Sequence, residues 1–211
     1  HELLREADSL EGMPVIVADL HSALPAILAG LLAERPGTRV VYVMTDGGAL
    51  PAWFSMSIAK LKEAGALAAT VTVGQAFGGD LEAVTVHTGL LAARLVAGAE
   101  AVVVAQGPGN LGSGTRWGFS GVSAGEAVNA AAVLAGRPIA ALRVSEGDRR
   151  ARHIGVSHHS LTAYGRVALA RAEVVVPELP GEFGARVAEQ AAALGERHEL
   201  PHTYPYGKRL L

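Results

Sequence analysis

Six short apolar runs, set apart by stretches with helical patterning, most narrow what this chain can fold into. They are residues 13–18 (MPVIVA), 39–45 (RVVYVMT), 69–73 (ATVTV), 101–105 (AVVVA), 139–144 (IAALRV) and 173–176 (EVVV). A strand with one wet face alternates apolar and polar residues, whereas near-continuous Val/Ile/Ala runs belong to strands covered on both faces, as in a parallel sheet sandwiched by helices. The intervening patterns predict a helix capped by Ser22 and ended by Pro36-Gly37, and another opened by Pro51 and closed by Gly65. Further helices are expected over 81–97, over 123–136 with capping-box spacing from Ser123 to Glu126, from Ser160, and over 181–194. The tail 201–211 (PHTYPYGKRLL) reads as irregular. The expectation is one doubly wound, Rossmann-like α/β domain across residues 1–211, since no repeat, linker or composition shift divides the chain.

Charge excludes several classes of partner. With 18 Lys+Arg against 20 Asp+Glu, the net charge of -2 gives no electrostatic footprint for nucleic acid or an acidic membrane surface. The absence of cysteine excludes a disulfide scaffold, zinc–cysteine sites and a thiol nucleophile, and fits a cytoplasmic protein. Half the residues are hydrophobic, yet charges such as Arg94 and Glu100 break every segment before the ~18 apolar residues of a membrane helix. No signal-peptide pattern opens the chain. A start at His1 rather than Met reads as a domain or proteolytic boundary.

In a doubly wound sheet the loops after the strands gather at the carboxyl edge, where ligands bind. The unusual residues fall there: Asp19, His21 and Ser22 after the first run, Asp46-Gly47-Gly48 after the second, residues 74–80 (GQAFGGD) after the third, 106–121 (QGPGNLGSGTRWGFSG) after the fourth and 145–159 after the fifth. The opposite edge holds plain turns. The 106–121 loop is the expected binding site. Its glycines, Gly107, Gly109, Gly112, Gly114, Gly118 and Gly121, let the backbone turn N–H groups toward a bound anion; Asn110 and Thr115 add polar groups, Arg116 a fixed charge, and Trp117 a flat apolar face. Gly78, Gly79 and Asp80 are expected to line the same site. Neither the dinucleotide nor the nucleoside-triphosphate glycine fingerprint is present. The bland alternative is a long permissive surface loop with Arg116 in a surface ion pair.

Residues 149–159 (RRARHIGVSHH) hold the other concentration of chemistry. His153, His158 and His159 are candidate proton-transfer groups, and Asp46 or Asp80 would orient the substrate or the histidine. An extended backbone would point only one of His158 and His159 into the site. The competing reading is a solvated basic loop, with Ser160 as a helix cap and Asp80 as another. His87, about two turns into its predicted helix, reads as packing. A metal site assembled from His21, Asp46, Asp80 and one of the three histidines, such as His158, is an alternative with nitrogen and oxygen ligands, although no H-x-H, H-x-x-E-H or D-x-D spacing supports it. The nucleophile elbow of a Ser-His-Asp hydrolase is absent.

Four blocks, VYVMTDGGALPAWFS (41–55), TVGQAFGGDLEAVTVHTGL (72–90), QGPGNLGSGTRWGFSG (106–121) and GVSHHSLTAYG (155–165), resemble a bacterial domain-of-unknown-function family. The resemblance implies a longer protein with an N-terminal region before His1. It implies no activity. The chain is therefore expected to be an enzyme acting on a small anionic metabolite; the alternatives are a non-catalytic metabolite-binding or regulatory module and a metal-dependent hydrolase. No cofactor is named by the sequence. A homo-oligomer, by default a two-fold dimer, is expected from base frequency and from small-residue helices such as 127–135.

Overall fold

The runs richest in valine form the middle of one sheet. In the computed structural model, which describes residues 2–204, β2 (Val40–Thr45) and β5 (Ala101–Gln106) are buried at every position, as runs without polar alternation require. With β1 (Pro14–Ala18), β3 (Ala69–Val73), β4 (Leu81–Ala83), β6 (Arg137–Ala141), β9 (Glu173–Pro177) and β10 (His202–Thr203), they make an eight-stranded sheet in the order β4-β3-β2-β5-β1-β6-β9-β10. Every pairing in it is parallel; Val17, for example, sits between Val104 and Ala140. The fold is α/β and doubly wound.

Helices cover both faces. On one, α1 (Leu24–Glu34) and α2 (Met56–Glu63) bury Leu24, Leu28 and Ile58 against Tyr42, Met44 and Val103. On the other, α3 (Val86–Leu95) and α4 (Ser123–Val133) bury Leu90, Leu91, Ala127 and Ala131 against Val15, Val17, Val102 and Val104. Small residues let this second face close tightly: a Cβ on Gly125 would lie 2.3 Å from the Ala163 carbonyl oxygen. After β1 the chain crosses one face through α1, past β5, to β2; after β5 it crosses the other face through α4, past β1, to β6. The two loops part above β1 and β5, leaving the crevice where such sheets bind ligands.

The departures from sequence expectation have local causes. Residues 81–83, expected as helix, pair with β3 as the edge strand β4, and the helix begins only at Val86, capped by Thr85, whose Oγ1 accepts the Thr88 N–H at 3.2 Å. Asp80 is consequently not a cap. Ser22 lies inside a 3-10 turn, His21–Ala23, and caps nothing; α1 starts with a proline in its first turn. Ser55, not Pro51, organises α2 by accepting the Ile58 N–H. The expected capping box at Ser123 does not form, because a 3-10 turn, Ser120–Val122, runs straight into α4 and Ser123 Oγ donates to the Ser120 carbonyl. Beyond β6 the fifth apolar run continues as β7 (Val144–Ser145), which pairs antiparallel with β8 (Gly155–Val156). Helix α5 (His158–Thr162) starts at His158 under a Ser157 cap and continues as a π turn, Ala163–Val167. The last helix, α6 (Gly181–Ala192), ends in a 3-10 turn, Ala193–Glu196, and part of the supposedly irregular tail is β10; residues 205–211 lie outside the described segment. Among the described residues no helix is long and apolar enough to cross a membrane.

Candidate functional site

The gap above β1 and β5, lined by Ala18, Asp19, Thr45, Gln106, Gly121 and Ser123, is closed in this structure, with no room for a water-sized group. Asp19 ends β1 and is 3 % exposed. Burial pushes its carboxyl up to about 6, against the opposing pull of a Ser160 hydroxyl that donates to Oδ2 at 3.1 Å and of the Arg143 charge. Ser160 Oγ in turn accepts the Arg143 N–H at 3.0 Å, so the pair is held from both sides. The Asp19 carbonyl accepts from Gln106 Nε2 at 2.7 Å, and Gln106 Oε1 accepts from Ser120 Oγ at 2.5 Å. Thr45 Oγ1, buried on the crevice wall, has no hydrogen-bond partner. Such leftover groups are rare in folded proteins.

Beside this crevice the structure gathers His153, His158 and His159. The β7–β8 hairpin brings the chain back over the sheet edge, a 3-10 turn, Ala151–His153, points His153 inward, and α5 begins at His158. Helical rather than extended backbone turns both adjacent histidines toward His153, correcting the expectation that only one would face the site. Ring centroids lie 4.3 Å apart for His158 and His159, 4.8 Å for His153 and His159, and 5.0 Å for His153 and His158. Phe119 stacks flat on His159 at 3.8 Å and 5°. His153 Nδ1 receives the Ser157 hydroxyl at 2.7 Å and Arg143 Nη1 at 3.1 Å, while Nε2 of both His153 and His158 is buried without a partner.

Electrostatics keeps all three imidazoles neutral. Burial is the leading cause, with neighbouring positive charge behind it: His153 is pushed down to about 4, with Arg143 and Arg150 contributing, and His159 to about 3, with the other two histidines and Arg143 contributing. His158 is also lowered, by burial and by Arg152, Arg143, Arg150 and Arg116 in that order. Arg116 therefore bears on the histidines although it lies in the glycine-rich loop; the two stretches the sequence singles out share one neighbourhood. Asp148 fixes the arginines, accepting from Arg143 Nη2 at 2.7 Å and Arg150 Nε at 3.0 Å, and its own carboxyl is held well below the usual range. Gln190 of α6 pins the hairpin from behind: its Oε1 accepts the Val156 N–H at 2.7 Å, over a Gly155 whose φ of +79° no side chain would tolerate well.

The other candidates do not converge on this point. His21 is satisfied at both nitrogens: Nδ1–H donates to Tyr42 Oη at 2.9 Å, since that hydroxyl is committed to the Gln106 carbonyl at 2.7 Å, and Nε2 accepts from Ser55 Oγ at 2.6 Å. Asp46 is an exposed turn residue whose Oδ1 accepts the Ala49 N–H at 3.2 Å. Asp80 pairs with Lys62 and accepts from Thr70. The four-ligand set His21, Asp46, Asp80 and His158 is not brought together; among the described residues the group whose nitrogens gather, within 4.8 Å of one another, is His153, His158 and His159. Gly78 and Gly79 make room for neighbours; a Cβ on Gly78 would strike the Trp53 ring at 2.2 Å, and one on Gly79 would meet the Thr72 nitrogen at 2.9 Å. Gly47 does the same for Gln106, at 2.5 Å.

The glycine-rich loop is a small hairpin rather than an open cradle. Gly112 bridges Phe119, the Ser113 N–H donates to the Gly118 carbonyl at 2.7 Å and the Gly118 N–H to Thr115 Oγ1 at 3.2 Å. Gly107 sits against Met44, its N–H bound by the Thr45 carbonyl, and Asn110 Oδ1 accepts from Gln106 Nε2 at 2.9 Å. Gly109 and Gly114 take positive φ at turns. Arg116 and Trp117 are exposed at the tip.

Residues 1–209 match the profile of a family described as "Protein of unknown function (DUF3866)". The chain belongs to DUF3866. No curated protein and no solved structure matches it. Within this family member, the blocks 106–121 and 155–165 supply Phe119, Ser157, His158, His159 and Ser160, whereas 41–55 and 72–90 supply mainly the packing of β2, β3 and α3. Asp19, Arg143, Ser157 and Phe119 go unassigned by motif reasoning. Only Asp19 carries a usable signal, a lone carboxylate at the end of an apolar strand, where it has to be buried.

Proposed function

We propose that this protein is an enzyme acting on a small anionic metabolite at the carboxyl ends of β1, β5 and β6. The observation that carries the reading is Asp19: a buried carboxyl pushed up to about 6, just past the carboxyl end of β1 and hydrogen-bonded to Ser160 of α5. A group poised near the working pH serves as both proton donor and acceptor, and strongly shifted groups concentrate at functional sites. Three neutral imidazoles beside it add further acceptors, and His158, half-buried, is the one open to solvent. Binding of the anion falls to arginine rather than to the glycine-loop N–H groups, several of which are used inside the hairpin. Arg152 and Arg116, both exposed and both bearing on His158, are the groups suited to clamp a carboxylate or phosphate.

The test is a thermal-shift and calorimetric screen of the full chain against small phosphates and carboxylates, each hit then assayed for turnover. Arg152→Ala and Arg116→Ala should each weaken the hit about tenfold, the order expected for one charge-assisted contact. Asp19→Asn should keep affinity and lose turnover. Wild-type affinity in both arginine variants removes the clamp; full turnover in Asp19→Asn removes the enzyme and leaves a binding module.

A further inference from the structure

The triad has a property proton transfer does not require: each of its three rings brings a nitrogen within 4.8 Å of a nitrogen on the other two. His153, His158 and His159 each offer a ligand atom within 4.8 Å of the others, from two separate elements tied together by Ser157. Nε2 of His153 and of His158 is buried with no partner, whereas His21 and His198 make hydrogen bonds at both ring nitrogens. We propose that His153, His158 and His159 bind one divalent transition-metal ion, zinc by ligand chemistry, and leave its fourth position to a non-protein ligand.

The donor set decides the ion. Three imidazoles in a chain without cysteine suit zinc and its neighbours, and poorly suit magnesium or calcium, which take oxygen. Three protein ligands with a vacant fourth position is the catalytic rather than the structural zinc pattern. At metal–nitrogen distances of about 2.0–2.1 Å a tetrahedral ion holds its nitrogens about 3.4 Å apart, so the rings must close by roughly an ångström.

The groups around the triad support this use. Ligating histidines anchor their second nitrogen, and His153 Nδ1 lies 2.7 Å from a buried Ser157 hydroxyl that is itself held by the His159 N–H. Without metal, the Arg143 contact at Nδ1 places the His153 proton on Nε2, because a guanidinium only donates. With metal, that proton moves to Nδ1 and is accepted by Ser157, while Arg143 keeps Asp148. The flat stack of Phe119 sets the plane of the His159 ring. Arg152 and Arg116 then make an anion, hydroxide or substrate, the preferred fourth ligand. The inference goes beyond the proposed enzyme, since an ion would bind the triad whether or not turnover follows.

The experiment is a titration of the chelator-stripped full chain with Co²⁺, followed through its visible d–d absorption, then displacement by Zn²⁺. One Co²⁺ per chain with a tetrahedral spectrum is expected. His158→Gln and His153→Gln should each weaken Co²⁺ at least tenfold, and His87→Gln, at an exposed position on α3, should not change it. Circular dichroism checks folding. Should His153→Gln not fold, the half-buried His158 variant carries the test. No Co²⁺ absorption, or equal uptake by His158→Gln, overturns the site. Ion uptake without anion binding or turnover supports this site while removing the proposed enzyme; turnover by a stripped chain that takes up no Co²⁺ overturns the ion and leaves the enzyme.

Discussion

The two halves of the carboxyl edge use the same residue types to opposite ends. Over β2 and β3, His21, Asp46 and Asp80 each find partners within the fold: a hydroxyl relay through Tyr42 and Ser55, a turn N–H, and Lys62 with Thr70. Over β1, β5 and β6, Asp19 is left with a strained ionisation and two histidines with idle nitrogens, and at the border with β2 the Thr45 hydroxyl is idle too. A polar group whose bonding is complete is explained by folding alone. One whose bonding is incomplete has a cost that folding does not recover.

The sharpest way to break this contrast is Asp19→Asn. Raising the buried carboxyl from 3.8 to about 6 weakens the native state by up to about 3 kcal/mol above pH 6, at ~1.4 kcal/mol for each pH unit. Its folded-state value lies above the unfolded one, so the native state has full stability below about pH 4 and loses it as pH rises through 6. Chemical denaturation should therefore show the variant more stable than wild type at pH 7.5 and equal to it at pH 4; equal stability at both would mean that Asp19 is not strained. His21→Ala should act in the other direction, destabilising by about 2 kcal/mol, because Ser55 and Tyr42 lose partners in a packed setting. No loss of melting temperature there would erase the distinction between the two halves.

Smaller effects sharpen it. Asp80→Asn breaks a pair whose side chains are 42 % and 37 % exposed, so the expected loss is about 1 kcal/mol or less, and it should shrink further in high salt. His158→Gln in the metal-free chain should change stability by no more than about 0.5 kcal/mol, since no hydrogen bond to its Nε2 is lost. The metal-free chain should also weaken as pH falls below 6.5 toward 4, where the unfolded chain protonates histidines that the fold holds neutral. His153→Gln should flatten that decline in an acid titration followed by fluorescence.

Much of the fold was legible because burial on both faces writes itself into composition: the runs at 40–45 and 101–106 admit no other layer. Edge elements escaped for the converse reason. Leu81-Glu82-Ala83 and His202-Thr203 are too short to show a period, and their pairing comes from a neighbour strand rather than from their own pattern. The segment holding the histidines was legible as a concentration of chemistry, yet which of them meet depended on whether 157–159 turns or extends, and a Ser157 cap decided that. Arg143 and Phe119 had no motif at all. Their roles arise from the β7–β8 hairpin and the 112–119 bridge, both tertiary events.

The bond from Ser160 to Asp19 joins residues 141 apart in sequence. Its two ends sit just past β1, the earliest strand of the sheet in this sequence, and on α5, which follows the β7–β8 hairpin after six strands of the sheet. Contacts of such separation close late, since the loop entropy they must overcome falls only as the intervening strands dock. Synthesis from the N-terminus therefore leaves Asp19 waiting until about three-quarters of these 211 residues have emerged. A signal from this site, whether a cobalt band or a shifted carboxyl, reports a sheet that has finished assembling.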